Sequence, residues 1–278
     1  MIIRYPSKIK FPAEDVLTAV KIRTRLNTRI VGKAIHVFRQ TSSTNDLAFT
    51  LAEQGAVEGT LVIAESQKKG RGRFRRPWIS PPGGLWFSLV LRPYFFPSLA
   101  PRITITAAVA VASSIRQITS LPALIRWPND IVIREKKVSG ILTEMNAETE
   151  VINFVILGIG INLNLFPTDF PPEIRNTATS IRQELGHSLP PADFLATLLE
   201  NVEKFYLELK AGKFRGILQQ WCHLSATLGR QVKVNTPEGP FEGHTINIDE
   251  DGALILRLDS GFHKRILTGD VTSISFPN

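Results

Sequence analysis

Residues 68–78, KKGRGRFRRPW, put six cations (Lys68, Lys69, Arg71, Arg73, Arg75 and Arg76) into nine positions, with Gly70 and Gly72 among them. The chemistry open to such a loop is anion binding. Glycine lets the backbone come close to a ligand. Its N–H groups and the alternating guanidiniums can then surround a carboxylate or a phosphate together. The bland alternative is a solvated charge run, which needs neither glycines nor the terminal Pro77 and Trp78. No Gly-Lys-Ser/Thr follows, so this is not a P-loop. Its spacing and charge also differ from a dinucleotide fingerprint.

Other residues suit polar recognition. Ser43, Thr44 and Asn45 form a hydroxyl–amide cluster before an apolar run at helical spacing. Ser43 or Thr44 caps that helix, or the cluster hydrogen-bonds a ligand. Trp127-Pro128-Asn129-Asp130 puts an amide and a carboxylate at a tight turn, where Asp130 satisfies the turn backbone, orients a lysine, or meets Mg²⁺ beside a phosphate. Lys137 opens the next strand, and a hairpin return brings it back toward the same end. The glycines of Gly158-Ile159-Gly160-Ile161-Asn162 mark a bend, close packing, or room for a ligand. The five histidines are scattered, with neither metal-ligand nor Ser-His-Asp spacing.

The elements that carry these residues read as follows. Pro12 and two acids open a helix that continues through Val16, Leu17, Val20 and Ile22. A strand over 34–39 leads into the Ser43 cluster, and a buried strand over 59–65 delivers Gln67 and the basic loop. Strand 85–92 and a long helix over 102–119 follow. Antiparallel strands over 123–127, 131–133 and 137–144 flank the Pro128 and Lys136 turns. The apolar run 151–161 is a central strand, and 190–210 is an amphipathic helix continued from 214 to near Trp221. Five short strands over 231–235, 241–248, 253–258, 263–267 and 271–276 make a small barrel or roll. The expected division is a helical lead-in at 1–34, a larger domain at 35–227 and a small β domain at 228–278.

Composition narrows the class. The 278 residues are 43% hydrophobic and 21% charged, enough for a sizeable core. A net charge of +8 favours acidic partners: nucleic acid, nucleotide phosphates or an acidic protein. A single cysteine, Cys222, excludes an internal disulfide framework and a multi-cysteine zinc site, and fits a reducing, cytoplasmic setting. Cys222 itself reads as a small core residue. The first eleven residues lack the features of a signal peptide, and the apolar stretch 107–112 is far short of a membrane span.

The order of these motifs is more specific than any one of them. Ser43-Thr44-Asn45, Glu65-Ser66-Gln67, Gly70-Arg71-Gly72-Arg73 with Arg76 and Trp78, Arg126-Trp127-Pro128-Asn129-Asp130, Lys137-Val138-Ser139-Gly140, and Gly158-Ile159-Gly160-Ile161-Asn162 follow one another. The series over residues 35–278 closely resembles biotin–protein ligases. The resemblance implies an α+β fold: a mixed sheet with flanking helices, of the class II synthetase type, followed by an SH3-like β-barrel. It also implies a two-step reaction on biotin and Mg·ATP. Biotin is activated as biotinyl-5′-AMP and then passed to a lysine of a biotin carboxyl carrier protein. Ser43, Thr44, Asn45 and Gln67 would hold biotin. Arg71, Gly72 and Arg73 would wrap its carboxylate and the α-phosphate. Arg76 would reach the pyrophosphate end, and Lys137 would bridge carboxylate and phosphate. Asp130 would orient or help deprotonate the acceptor lysine, or help hold Mg²⁺. Asn129 and Asn162 would belong to the ATP side, and Trp78 and Trp86 would wall the site. The loop would order over the intermediate and exclude water.

Three departures from the family pattern stand out. Arg75 occupies a position where glycine is usual, Arg126 replaces a common lysine, and 176–182 carries no aromatic to stack adenine. About 35 residues precede the resemblance, too few for the winged helix that makes some members repressors, so no DNA binding is expected. The chain is expected to be a monomer or a homodimer. The rival readings are a lipoate or octanoate ligase or transferase of the same architecture, and a basic nucleic-acid-binding protein. Against the latter, the cations gather in one glycine loop instead of along a helix or an aromatic-studded sheet.

Overall fold

The computed structural model describes residues 17–273. The expected helix start at Pro12 lies outside them; the helix there, α1, is described as Ala19–Arg23 and capped by the Thr18 hydroxyl. The chain then runs β1 (Ile35–Thr41), α2 (Thr44–Glu53), β2 (Leu61–Gln67), β3 (Leu85–Leu91) and α3 (Pro101–Thr119). Next come β4 (Leu124–Arg126), β5 (Asp130–Ile133), β6 (Lys136–Ala147) and β7 (Ile152–Ile161). The helices α4 (Ile181–Leu185), α5 (Pro191–Lys210) and α6 (Phe214–His223) complete the larger unit.

Seven strands form one mixed sheet in the order β1-β2-β3-β7-β6-β5-β4. Only β1 and β2 run parallel; every other neighbouring pair is antiparallel. The run 151–161 is indeed the middle strand, which explains why it is apolar on both faces. One face (Leu61, Ile63, Phe87, Leu89, Leu157) packs under α3, α5 and α6. Residues 97–119 are the one described segment long and apolar enough to cross a membrane. They belong to the core: Ile105, Ala108, Val109, Ala112 and Ile115 are buried there.

The opposite face is half covered. α2 lies on Val62, Val90, Phe154 and Ile156. Side chains alternate faces along a strand, so the next positions on that face are Ser88 on β3 and Gly158 and Gly160 on β7. The paired residues on β6 are Leu142 and Gly140. Small residues here leave a trench in the sheet surface that begins where α2 begins.

Five strands, β8 (Gln231–Thr236), β9 (Gly239–Ile248), β10 (Leu254–Arg257), β11 (His263–Ile266) and β12 (Asp270–Ser273), form an antiparallel sheet ordered β11-β10-β9-β8-β12. Its interior (Val232, Val234, Ile248, Leu254, Leu256) is continuous with the core of the larger unit. Trp127 Nε1 donates to Gly252 O at 3.0 Å and Arg102 Nε to Glu250 O at 2.9 Å, tying the β4–β5 turn and α3 to the β9–β10 turn. The Trp127–Pro128 peptide at this junction is cis.

Candidate active site

The trench, the basic loop and the edge of the second sheet enclose a cavity of about 570 Å³. Its neutral end is built on the start of α2. Ser43 occupies the N-cap position, yet its side chain makes no capping bond. The cap expected from the sequence is therefore not made; Ser43 Oγ instead accepts from Arg71 at 3.3 Å. Gln67 Oε1 takes over as acceptor for the Thr44 N–H at 2.8 Å and for the Thr44 hydroxyl at 3.1 Å. Gln67 is fixed in turn by Nε2 donating to Ser80 Oγ at 2.9 Å. Ser88 Oγ lies 2.8 Å from Thr44 Oγ1 and 2.6 Å from Asn45 Oδ1. Asn45 Nδ2 donates to Glu144 Oε2 at 2.6 Å. Asn45 fits only because Gly158 lies beneath it: a Cβ there would stand 2.1 Å from Asn45 Oδ1.

The cationic end is built from the loop and the β4–β6 turns. Arg71 pairs with both oxygens of Glu144, at 2.9 and 2.8 Å, and with Asp46 at 2.5 Å. Burial works against its charge, but the hydrogen bonds it donates to Glu144 and Asp46 outweigh it and hold the guanidinium above its ordinary range. Arg73 turns toward the second sheet. It donates to Thr268 Oγ1 at 2.7 Å and Gly269 O at 2.9 Å, and lies 3.5 Å from Asp270. Burial, with the nearby Arg76 charge, holds its guanidinium below the ordinary range, and the carboxylates of Asp270 and Asp130 only partly offset this. Arg76 pairs with Asp270 at 2.6 Å. Lys137 Nζ lies 2.6 Å from Asp130 Oδ1 and 5.1 Å from the centre of the Trp78 ring. Trp78 lies over Gly160 and Gly140, where an added Cβ would come within 2.5 and 3.1 Å of its ring. Together with Phe170 and Ile174 it gives this end an apolar wall.

Most of the residues singled out in the sequence line this one cavity: Ser43, Thr44, Asn45, Gln67, Arg71, Gly72, Arg73, Arg76, Trp78, Asn129, Asp130, Lys137 and Asn162. Two of them have their side-chain amides engaged elsewhere. Asn129 Nδ2 donates to Ile141 O at 2.7 Å, and Asn162 Nδ2 to Thr179 O at 2.9 Å. These bonds hold the cavity wall. Trp86 does not line the cavity. It is fully buried behind Trp78, edge-on at 6.2 Å, with Nε1 bonded to Pro81 O. Cys222 is half-buried against the core, and burial pushes its thiol up, away from an activated thiolate. Among the described residues no group of three or more His, Cys, Asp or Glu could hold a metal.

Four partners were not anticipated: Asp46, Ser88, Glu144 and Asp270. Ser88 alone left a trace in the sequence, as a hydroxyl in the middle of the apolar strand LWFSLVL. Asp46 reads as an ordinary acid in a first helical turn, and Glu144 and Asp270 meet their arginines across 73 and about 195 residues.

Comparison with known proteins now decides the family. The Biotin/lipoate A/B protein ligase family model matches residues 37–162, and the Biotin protein ligase C terminal domain model matches residues 227–272. The bifunctional ligase/repressor BirA of Bacillus subtilis is 39% identical over 264 residues, covering 95% of this chain and 80% of that protein. The biotin–[acetyl-CoA-carboxylase] ligase of Paracoccus denitrificans is 34% identical, covering 80% of this chain and 93% of that one. The chain belongs to the biotin–protein ligase family. Among solved structures, biotin protein ligase from Aquifex aeolicus in complex with biotin and ATP superposes with a TM-score of 0.75 at 29% identity, covering 86% of this chain and 98% of that one. The fold is thus that of biotin–protein ligases, a mixed sheet with flanking helices followed by the family's C-terminal β unit. The cavity lies within residues that the two family models span, with the stretch from 163 to 226 supplying Phe170, Ile174, Thr177 and Ala178.

Proposed function

We propose that this chain is an ATP-dependent biotin–protein ligase that acts on a biotin carboxyl carrier protein in the cytoplasm. The observation that carries the reading is the cavity itself, in which a neutral hydroxyl–amide end borders a cationic one. The ureido ring of biotin offers N–H donors and a carbonyl acceptor. Ser43, Thr44, Asn45 and Gln67 are the matching neutral partners, and a charged pocket would be wasted on it.

In the first step a biotin carboxylate oxygen attacks the α-phosphorus of ATP. The bond to the bridging oxygen breaks and pyrophosphate leaves. Two anions must approach each other, so the cations carry the catalysis. Arg71 and Arg73 neutralise the carboxylate and the α-phosphoryl oxygens, Arg76 faces the leaving pyrophosphate, and Lys137 bridges the junction. Mg²⁺ carried by the triphosphate would need only one or two protein carboxylates; Asp130, which lines the cavity, is the one that would hold it there and help it neutralise phosphate charge. Trp78 offers the adenine an aromatic face that 176–182 lacks. In the second step the ε-amine of the acceptor lysine attacks the anhydride carbonyl, the acyl–oxygen bond breaks, and AMP leaves with the amine's proton released. Asp130, already paired with an amine at 2.6 Å, is suited to orient the incoming one. The larger unit to residue 227 holds both substrates in this reading, and the unit from 228 closes the phosphate end.

The test is isotope exchange between pyrophosphate and ATP by the purified chain, with biotin, lipoate or octanoate added. Exchange that requires biotin supports the assignment. Exchange driven by lipoate or octanoate instead, or running without any acid, overturns it.

A further inference from the structure

Asp270 lies at the edge of the second sheet, at the start of β12, yet its carboxylate lines the cavity. It holds Arg76 at 2.6 Å and approaches Arg73 at 3.5 Å. Thr268 and Gly269, the two residues just before it, bind the rest of the Arg73 guanidinium. A two-charge grip on an anion is thus already assembled, with a protein carboxylate as the anion. We infer that Asp270 is a counter-anion for the phosphate end: it holds Arg73 and Arg76 in position while the site is empty and is displaced from Arg76 when a di- or triphosphate binds.

Two physical consequences follow from the charge. A burial-disfavoured guanidinium such as Arg73 needs a nearby negative charge, and Asp270 with Asp130 supplies it. The same negative charge also opposes an incoming phosphate, both by repulsion and by occupying Arg76. Asp270 therefore sets how strongly the phosphate end binds, trading affinity for order. The partial exposure of the pair, 66% for Arg76 and 28% for Asp270, keeps the effect modest, because exposed ion pairs are screened. Asp270 makes no contact at the neutral end, where the charged partners are Glu144 on Asn45 and Arg71 on Ser43.

The inference rests on the ligase reading for its substrate, but its test stands on inorganic pyrophosphate alone. Calorimetric titration of pyrophosphate, ATP and biotin into the wild-type chain and Asp270→Asn reads it directly. Asp270→Asn is expected to bind pyrophosphate and ATP roughly two- to fivefold tighter, with biotin affinity unchanged. In the exchange assay the KM for ATP should fall by the same factor while kcat does not rise. Asp270→Glu, which keeps the charge, should retain wild-type affinity. In an Arg76→Ala background the gain from Asp270→Asn should shrink or vanish. Pyrophosphate binding that is unchanged or weaker in Asp270→Asn overturns the inference, as does an equal gain without Arg76. Arg73 keeps its bonds to Thr268 and Gly269 in the variant, and circular dichroism checks that the fold is intact. Loss of biotin binding by the wild-type chain would defeat the ligase reading and leave the pyrophosphate comparison readable.

Discussion

The two ends of the cavity are built on opposite plans. At the neutral end uncharged side chains form a continuous network, Ser80 to Gln67, Gln67 to Thr44, Thr44 to Ser88, Ser88 to Asn45, and charged groups touch it only at its margin, Glu144 on Asn45 and Arg71 on Ser43. Ser80, Thr44, Ser88 and Asn45 are buried and Gln67 is half-buried, with Gln67 and Ser88 carried by strands and Thr44 and Asn45 by the start of α2. At the other end Arg71, Arg73, Arg76 and Lys137 are each held by a carboxylate of the protein: Glu144 and Asp46, Asp270, Asp270, and Asp130. The loop that carries the arginines is exposed at Phe74 and bends through two left-handed residues, Phe74 (φ 54°) and Arg75 (φ 57°). The contrast follows from what each end must do. Neutral groups can be pre-paired and still spare an acceptor or donor for a ligand. Clustered cations repel one another, so an empty site needs internal anions that give way when the ligand brings its own.

The largest expected effect breaks the charged end outright. Lys137→Ala removes the ammonium between Asp130 and Trp78, and biotin-dependent exchange should fall about a hundredfold or more. Lys137 is part-exposed, so thermal stability should stay near wild type. Near-wild-type exchange would mean that Lys137 only balances Asp130. A smaller effect confines damage to the neutral end. Gly158→Ala drives a methyl into Asn45 and should weaken biotin binding about tenfold, from an overpacking cost of order 1–3 kcal/mol. Pyrophosphate affinity should hold. If both ligands weakened together, the two ends would not be separable. The smallest effect concerns the loop. Arg75→Gly relieves a left-handed side chain that costs about 1–2 kcal/mol but adds freedom to the unfolded chain worth about 0.4–1 kcal/mol. A net gain between about 0 and about 1.6 kcal/mol is expected from the midpoint of urea unfolding. A loss would show that Arg75 makes contacts that outweigh its backbone.

Arg75 also shows what a sequence can and cannot say. The resemblance implies glycine at that position, and the structure adds a local property that no motif carries: Arg75 has a positive φ, the region that favours glycine. The strands and long helices were legible because apolar periodicity reports burial locally. The middle strand 152–161 and helix 101–119 are the clear examples. The residues of the cavity were legible as motifs because each is a short run of distinctive types. Their counter-charges were not. Glu144 and Asp270 are isolated acids in strands, and only the fold brings them to Arg71, Arg73 and Arg76. The reading of Ser43 or Thr44 as a helix cap failed for a related reason. Local rules favour the cap, but Gln67 and Arg71, arriving from elsewhere in the chain, compete for those groups. Trp86 departs from the expectation because nearby tryptophans look alike in a sequence, while its place on β3 opposite Gly160 puts this one inside the protein behind Trp78.

Of the four tryptophans, Trp86, Trp127 and Trp221 are buried, while Trp78 is half-exposed in the cavity beneath the Lys137 ammonium. The molecule therefore carries a built-in optical gauge. Trp86 and Trp221 lie outside the cavity lining and supply a background emission, while Trp78, with the buried Trp127 in the cavity wall, responds to whatever enters between the neutral and cationic ends.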